Sequence, residues 1–145
     1  NIIAKGPDLV INASDDELNK MNAYVRDMHT KSGLIDEVRK SSLTIRDAEI
    51  ETLEFINEHI KAKNKPPVCG NSIGTDRRFL DAQMNDLENR FHYRVVDVSS
   101  IKELANRWYP DVDRNIPSKA ENHRALEDII ESIEELKYYR EKLFI

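Results

Sequence analysis

Cysteine is almost missing: Cys69 stands alone in 145 residues, which excludes an internal disulfide and favours a reducing, cytoplasmic setting. Long apolar runs are missing too. None approaches the roughly eighteen residues of a membrane span, and none reads as a secretory signal, so no membrane association is expected. An excess of positive charge is also lacking. The formal net charge of −5 argues against a protein that coats long nucleic acid, because such binding rests on many Lys and Arg contacts to phosphate. A small phosphorylated substrate stays compatible. Internal repeats and low-complexity tracts are absent. What remains is a polar chain, 34% charged with a mean hydropathy of −0.65, read as one domain over residues 1–145 with enough length for a real core.

The strongest pattern lies at residues 120–140, AENHRALEDIIESIEELKYYR. Leu126, Ile129, Ile130, Ile133 and Leu136 recur at three-and-four spacing, which predicts an amphipathic helix with Glu127, Glu131, Glu134 and Glu135 on its other faces. Asn122 can cap its first turn and Ser118 with Glu121 offers a capping box slightly earlier, so His123 sits near the helix entrance. At about 100° per residue, Asp128 falls roughly opposite the apolar stripe, which by periodicity alone makes it a solvated carboxylate.

In chain order, Ile2, Ile3 and then Leu9, Val10 and Ile11 read as an extended opening, the tail of a strand with a segment expected upstream. Ser14 and Glu17 form a capping box for a helix lined by Leu18, Met21, Val25 and Met28 and stopped at Gly33. His29 lies at its end, where a helix dipole favours a histidine. Thr44 opens a helix with Ala48, Leu53, Ile56 and Ile60 inward and Glu49, Glu51, Glu54 and Glu58 in water. Val68, Cys69 and Gly70 make a short buried strand before the polar turn 71–76. The helix after that turn carries Phe79, Leu80, Met84 and Leu87, and spacing puts Asp76 on its inward side, where a carboxylate needs a helix cap or a metal ion. Residues 91–98, FHYRVVDV, read as a strand with Tyr93 and Arg94 on opposite faces. Ser100 and Glu103 then cap a helix with Ile101, Leu104, Ala105 and Trp108 inward, and residues 109–119 form an irregular loop.

Three stretches, GNSIGTDRRFLD, HYRVVDVSSIKELANRWYP and HRALEDIIESIEELKYYR, occur in an order and spacing that resemble the oligoribonuclease family, 3'-to-5' exonucleases of the DEDDh group. HTKSGL, with His29, belongs to the same likeness. The resemblance implies an α/β, RNase-H-like exonuclease fold with a mixed sheet flanked by helices. It also implies a homodimer that holds two divalent metal ions, Mg²⁺ or Mn²⁺, and cuts short oligoribonucleotides to 5'-mononucleotides. By the same likeness Asp76 and Asp128 would hold metal and His123 would take the proton from the attacking water, a task suited to an imidazole. Ser72, Arg94 and Ser99 match positions that cap a terminal phosphate, Tyr93 one contributed across the dimer, and His29 one that packs by a base.

One departure is large. The family's Asp-x-Glu pair on the opening strand has no counterpart, so the N-terminal strands are read as missing and the 145-residue chain as poor in metal binding and nearly inactive. Two rivals stand beside this reading: another DEDDh exonuclease with a proofreading or RNA-trimming task, and a non-catalytic interaction domain derived from the fold.

Overall fold

Among the described residues, side-chain caps start four of the helices, at Ser14, Asn22, Thr44 and Asp97. The structure, a computed structural model, describes residues 2–116 and 124–144. The chain divides into two units, Asn1–Pro66 with Leu80–Arg90, and Pro67–Phe79 with Phe91–Ile145.

The first unit is helical among its described residues. Its opening segment, expected as a strand, has no strand partner there: Asn12 N–H donates to the Leu43 carbonyl at 2.8 Å, and the Ser41 hydroxyl donates to the Val10 carbonyl at 2.5 Å. Backbone groups satisfied one by one in this way need no ladder. Ser14 and Glu17 form the expected capping box, but the helix they start, α1 (Asp15–Leu18), stops after one turn. Asn22 then caps a new helix, α2 (Ala23–Lys31), by accepting from the Val25 amide at 2.9 Å. Gly33 ends the run with φ of 75° and leads into α3 (Leu34–Lys40), a helix the sequence pattern did not reveal. Thr44 and Asp47 cap α4 (Ile45–His59) reciprocally.

Glu49 departs from expectation. It is 3% exposed rather than wet, because its Oε1 accepts the Leu87 amide at 3.1 Å in the first turn of α6 (Asn85–Arg90). Such amides have no partner inside their own helix. Arg46 donates to Glu49 at 2.6 Å and to Asp86 at 2.7 Å, which offsets the carboxylate's charge. The expected single helix carrying Phe79, Leu80, Met84 and Leu87 is divided before α6 because the Asn85 side-chain amide donates to the Asp81 carbonyl, the acceptor a continuing helix would give to the Asn85 backbone.

The second unit is built on β1 (Val68–Gly70) and β2 (Val95–Asp97), which pair in parallel with Val68 opposite Val95 and Gly70 opposite Asp97. The expected mixed sheet is, among the described residues, this parallel pair. Cys69 is exposed rather than buried, since a two-stranded sheet covers little of itself. Residues 91–94 are not strand: the Arg94 amide donates to His92 Nδ1 at 3.0 Å and Arg77 donates to the His92 carbonyl at 2.7 Å, so side chains replace the ladder.

Helix α5 (Ile73–Gln83) follows β1, with Ile73 buried and Phe79 exposed against expectation. Helix α7 (Val98–Trp108) is capped at Asp97, three residues before the expected Ser100 cap, because the Asp97 side chain accepts the Ser99 amide. Its Val98 and Ala105 pack with Tyr139 as the core, and both Ala105 and Tyr139 are 0% exposed. Leu104 and Trp108 are exposed rather than inward, the core being completed by Val112 of α8 (Pro110–Arg114), a helix within the expected loop. Tyr138 hydroxyl donates to the Val112 carbonyl at 2.9 Å.

The last helix, α9 (Ala125–Leu143), is present, but its buried residues are Ser132, Glu135 and Tyr139. Leu126, Ile129, Ile130 and Ile133 are exposed. A helix packs whichever face its neighbours reach, and here the neighbours offer the Asn71 amide and the core around Ala105, so of the expected stripe Leu136 alone packs inward. The expected caps at Ser118, Glu121 and Asn122 lie outside the described residues.

Two outcomes follow for the first unit. Glu49→Ala is expected to lower unfolding free energy by about 2 kcal/mol by leaving a buried amide without its acceptor, whereas Glu51→Ala should change it by no more than about 0.5 kcal/mol; urea denaturation measures both. Hydrogen bonds from Thr44 hold the Asp47 carboxyl below its ordinary value. The resulting stabilisation is present above the unfolded-state pKa and disappears as pH falls through the folded one, so the Tm gap between wild type and Asp47→Asn should close on acidification.

Candidate functional site

Burial of Ile73 at the start of α5 fixes the two residues before it, Asn71 and Ser72, at the end of β1. Ser72 has φ of 56°, in the left-handed region that residues other than glycine seldom adopt. Two acceptors hold it there, since its N–H donates to Asp97 Oδ1 and to Ser99 Oγ, each at 3.0 Å. Asp97 Oδ1 takes the Ser99 amide as well, at 3.0 Å, so one carboxylate oxygen joins the turn to the first turn of α7.

The hydroxyls of Ser72 and Ser99 lie 3.2 Å apart. Behind them Ser99 donates to Asn71 Oδ1 at 3.1 Å, and Asn71 Nδ2 donates to Ser132 Oγ at 2.8 Å and to the Glu135 carboxylate at 3.4 Å. Ser132 Oγ donates in turn to the Asp128 carbonyl at 2.8 Å. A continuous polar path therefore runs from Ser72 to the helix turn that bears Asp128.

Asp76 and Asp128 are both exposed, each in the first turn of its helix. A carboxylate there is favoured by the helix dipole without any ligand. The expectation that Asp76 faces inward does not hold: the first turn of α5 buries Ile73 instead. Their oxygens are of the hard type that Mg²⁺ or Mn²⁺ takes. Among the described residues, however, no group of three His, Cys, Asp or Glu side chains gathers into a metal site. The donors fit in kind and fall short in number.

His92 and Tyr93 stack with centroids 4.4 Å apart, and the Arg94 guanidinium carbon sits 5.5 Å from the Tyr93 ring centre. Tyr93 and Arg94 thus share one face instead of pointing apart. Tyr93 is 75% exposed, which leaves its outer surface free for a further contact. In the first unit, His29 is half-buried in the last turn of α2, and its Nδ1 has no hydrogen-bond partner among the described residues. His123 lies outside the described residues.

The structure thus brings together Ser72 with Ser99 and Tyr93 with Arg94, and ties both seryl hydroxyls to the backbone at Asp128. Asn71, His92 and Asp97 are polar participants that the sequence reading passed over. Asp97 had a usable signal, standing two residues before Ser99 in the spacing of a side chain that accepts a nearby amide. Asn71 and His92 had none.

The exonuclease family (RNase_T: Exonuclease) matches residues 1–136. Oligoribonuclease of Streptomyces avermitilis is 53% identical over all 145 residues of this chain, which span 72% of that protein. The chain belongs to the oligoribonuclease family of exonucleases. Oligoribonuclease of Rhodococcus jostii (strain RHA1) is 51% identical, with the whole chain spanning 73% of it. That of Mycobacterium sp. (strain KMS) is 50% identical, with 67% spanned. The family match runs without interruption through the β1–α5 turn, the start of α7 and α9 as far as Leu136.

The backbone at Ser72 can be tested separately from its hydroxyl. Both Ser72→Ala and Ser72→Gly delete the hydroxyl, but only glycine relieves the left-handed conformation, so the glycine variant should be the more stable by about 1 kcal/mol. Equal unfolding midpoints for the two would contradict a left-handed Ser72.

Proposed function

We propose that this chain is part of a 3'-to-5' exoribonuclease that degrades short oligoribonucleotides to 5'-mononucleotides. The observation that carries the reading is the pair of seryl hydroxyls, Ser72 and Ser99, 3.2 Å apart at the mouth of two helix starts, in a chain about half identical to oligoribonucleases. In this reading Ser72, Ser99 and Arg94 grip a terminal phosphate. The guanidinium supplies charge and paired donors, and the hydroxyls supply direction. Tyr93, exposed and backed by His92, offers a flat surface from one protomer of a homodimer to the partner's substrate, and His29 packs against a base. A closed end that fits one phosphate leaves no path for a long strand, which accounts for short substrates and for an acidic chain acting on RNA.

Asp76 and Asp128 would hold divalent ions, Mg²⁺ or Mn²⁺, which when bound activate water and stabilise the departing 3' oxygen. His123 accepts a proton from the attacking water. The oxygen of that water joins phosphorus, the bond from phosphorus to the 3' oxygen breaks, and the 3' hydroxyl leaves with a proton. With two of the family's four carboxylates, the 145-residue chain by itself turns over little substrate. The single-domain reading of residues 1–145 draws support from a family match that covers both units. A cytoplasmic setting accords with short RNA ends as substrates and with one cysteine. Among the described residues no helix is long and apolar enough to cross a membrane.

The exposed row of Leu126, Ile129, Ile130 and Ile133 favours a second reading, a non-catalytic interaction domain. Incubation of the full-length protein with a 5'-phosphorylated diribonucleotide and Mg²⁺ or Mn²⁺ separates the two. Release of mononucleotides that stops on chelation is the expected result, and an intact dinucleotide after prolonged incubation would favour the interaction domain. His123→Ala should lower turnover of bound substrate on the order of a hundredfold or more with little change in affinity, as removal of a general base does.

A further inference from the structure

Residues 91–94 are held by side chains instead of a strand ladder, and one of those side chains changes its chemistry near neutral pH. A backbone amide can only donate, so the Arg94 N–H at 3.0 Å requires a lone pair on His92 Nδ1. The ring is therefore neutral there, with its proton on Nε2. The same ring stacks on Tyr93 with centroids 4.4 Å apart, and the Arg94 guanidinium carbon sits 5.5 Å from the Tyr93 ring centre. From α5, the half-buried Arg77 donates to the His92 carbonyl at 2.7 Å, which fixes the backbone that carries the ring. One imidazole thus sets the turn and the stack together. Protonation undoes the first of these, because an N–H on Nδ1 faces the Arg94 N–H and the amide loses its acceptor. The charged groups of the neighbouring residues are cationic, Arg94 against Tyr93 and Arg77 at the His92 carbonyl, and among the described residues no carboxylate pairs with His92. Nothing there holds the turn closed around a charged ring.

Resting on the exoribonuclease reading, in which Arg94 grips a phosphate and Tyr93 offers a flat surface, we propose that His92 is a positioning residue that acts as an acid-sensitive latch on substrate binding. In its neutral form the ring caps the Arg94 amide and backs Tyr93, so both side chains stand ready at fixed places. In its protonated form it releases the turn, and the two side chains lose their common support. Affinity for short RNA then falls with pH through a step that involves neither a metal ion nor the cleavage chemistry.

The test uses the full-length protein in buffer containing EDTA, where no cleavage occurs. Dissociation constants for a 5'-phosphorylated diribonucleotide are measured at about pH 8 and about pH 5.5, on either side of the imidazole range. His92→Asn keeps an acceptor for the Arg94 amide at both values, since an asparagine carbonyl caps the amide two residues on. His92→Phe keeps a ring behind Tyr93 and has no acceptor. On acidification, wild-type affinity should fall by roughly three- to tenfold more than that of His92→Asn, which is what one hydrogen bond contributes. His92→Phe should bind weakly at both values and show no such excess. Ionisation of the substrate phosphate, of His29 and of His123 is common to all three proteins and cancels in the comparison. Nitrogen NMR of the wild type at the higher pH should show the lone pair on Nδ1 and the proton on Nε2, and protection of the Arg94 amide from exchange should disappear as the ring protonates. That readout needs no variant, should His92→Asn not fold. A purely structural role would lower the stability of the variants without flattening the pH dependence. Equal falls in wild type and His92→Asn, or a proton on Nδ1 in the neutral ring, overturn the latch. An Arg94→Ala variant that binds as tightly as wild type removes the phosphate grip itself, a failure told apart from that of the latch by a nitrogen spectrum that still shows Nδ1 unprotonated.

Discussion

A single primary amide joins three segments that are far apart in the chain. Asn71 reaches Ser132 and Glu135 on α9 with its nitrogen and Ser99 on α7 with its oxygen. The two partners on α9 would cost free energy if left unpaired at their depth: Glu135 is 3% exposed and Ser132 is 9% exposed. The amide therefore settles the burial of α9 and the geometry of the turn at once. The left-handed backbone at Ser72 follows from the same arrangement, because its amide must reach two oxygens supplied by the start of α7.

The apolar core of the second unit answers to this polar framework. Tyr139 lies one to two turns beyond Ser132 and Glu135 on the same face of α9, so the contacts of Asn71 rotate Tyr139 onto Ala105. Ala105 is a suitable partner because it has no bulk to displace a ring, and small opposite large is how interiors reach close packing. The strand pair beneath is parallel and short, which is consistent with strands that gain much of their stability from helices laid against them.

Local rules explain what could be read without coordinates. The Ser14 and Glu17 box, the Thr44 start, the Gly33 stop, strand 68–70 and helix α9 all depend on residues within a few positions of one another, and all are present. The misread features depend on distant partners. Glu49 is buried by an amide 38 residues away, and Asn71 is held by side chains more than 60 residues away. Residues 91–94 have strand composition but give their backbone groups to Arg77 and to the His92 ring. On α9 the period holds, but the stripe faces the core only at Leu136, since hydrophobic spacing identifies a helix without saying where its neighbours stand. For the site, family motifs directed attention to Ser72, Ser99, Asp76 and Asp128. Asn71, which links the two serines through Ser132 to the backbone of Asp128, carries no such motif, because a lone asparagine in a turn has an ordinary explanation.

The outward row on α9 has a colloidal consequence. Four branched aliphatic side chains spaced along about two turns form a ridge whose water is released when two surfaces meet. Sulfate and similar strongly hydrated ions are excluded from such surfaces and magnify that release. A chain with net charge −5 gains self-repulsion in dilute buffer and loses that protection as ionic strength rises, which favours contacts through this ridge.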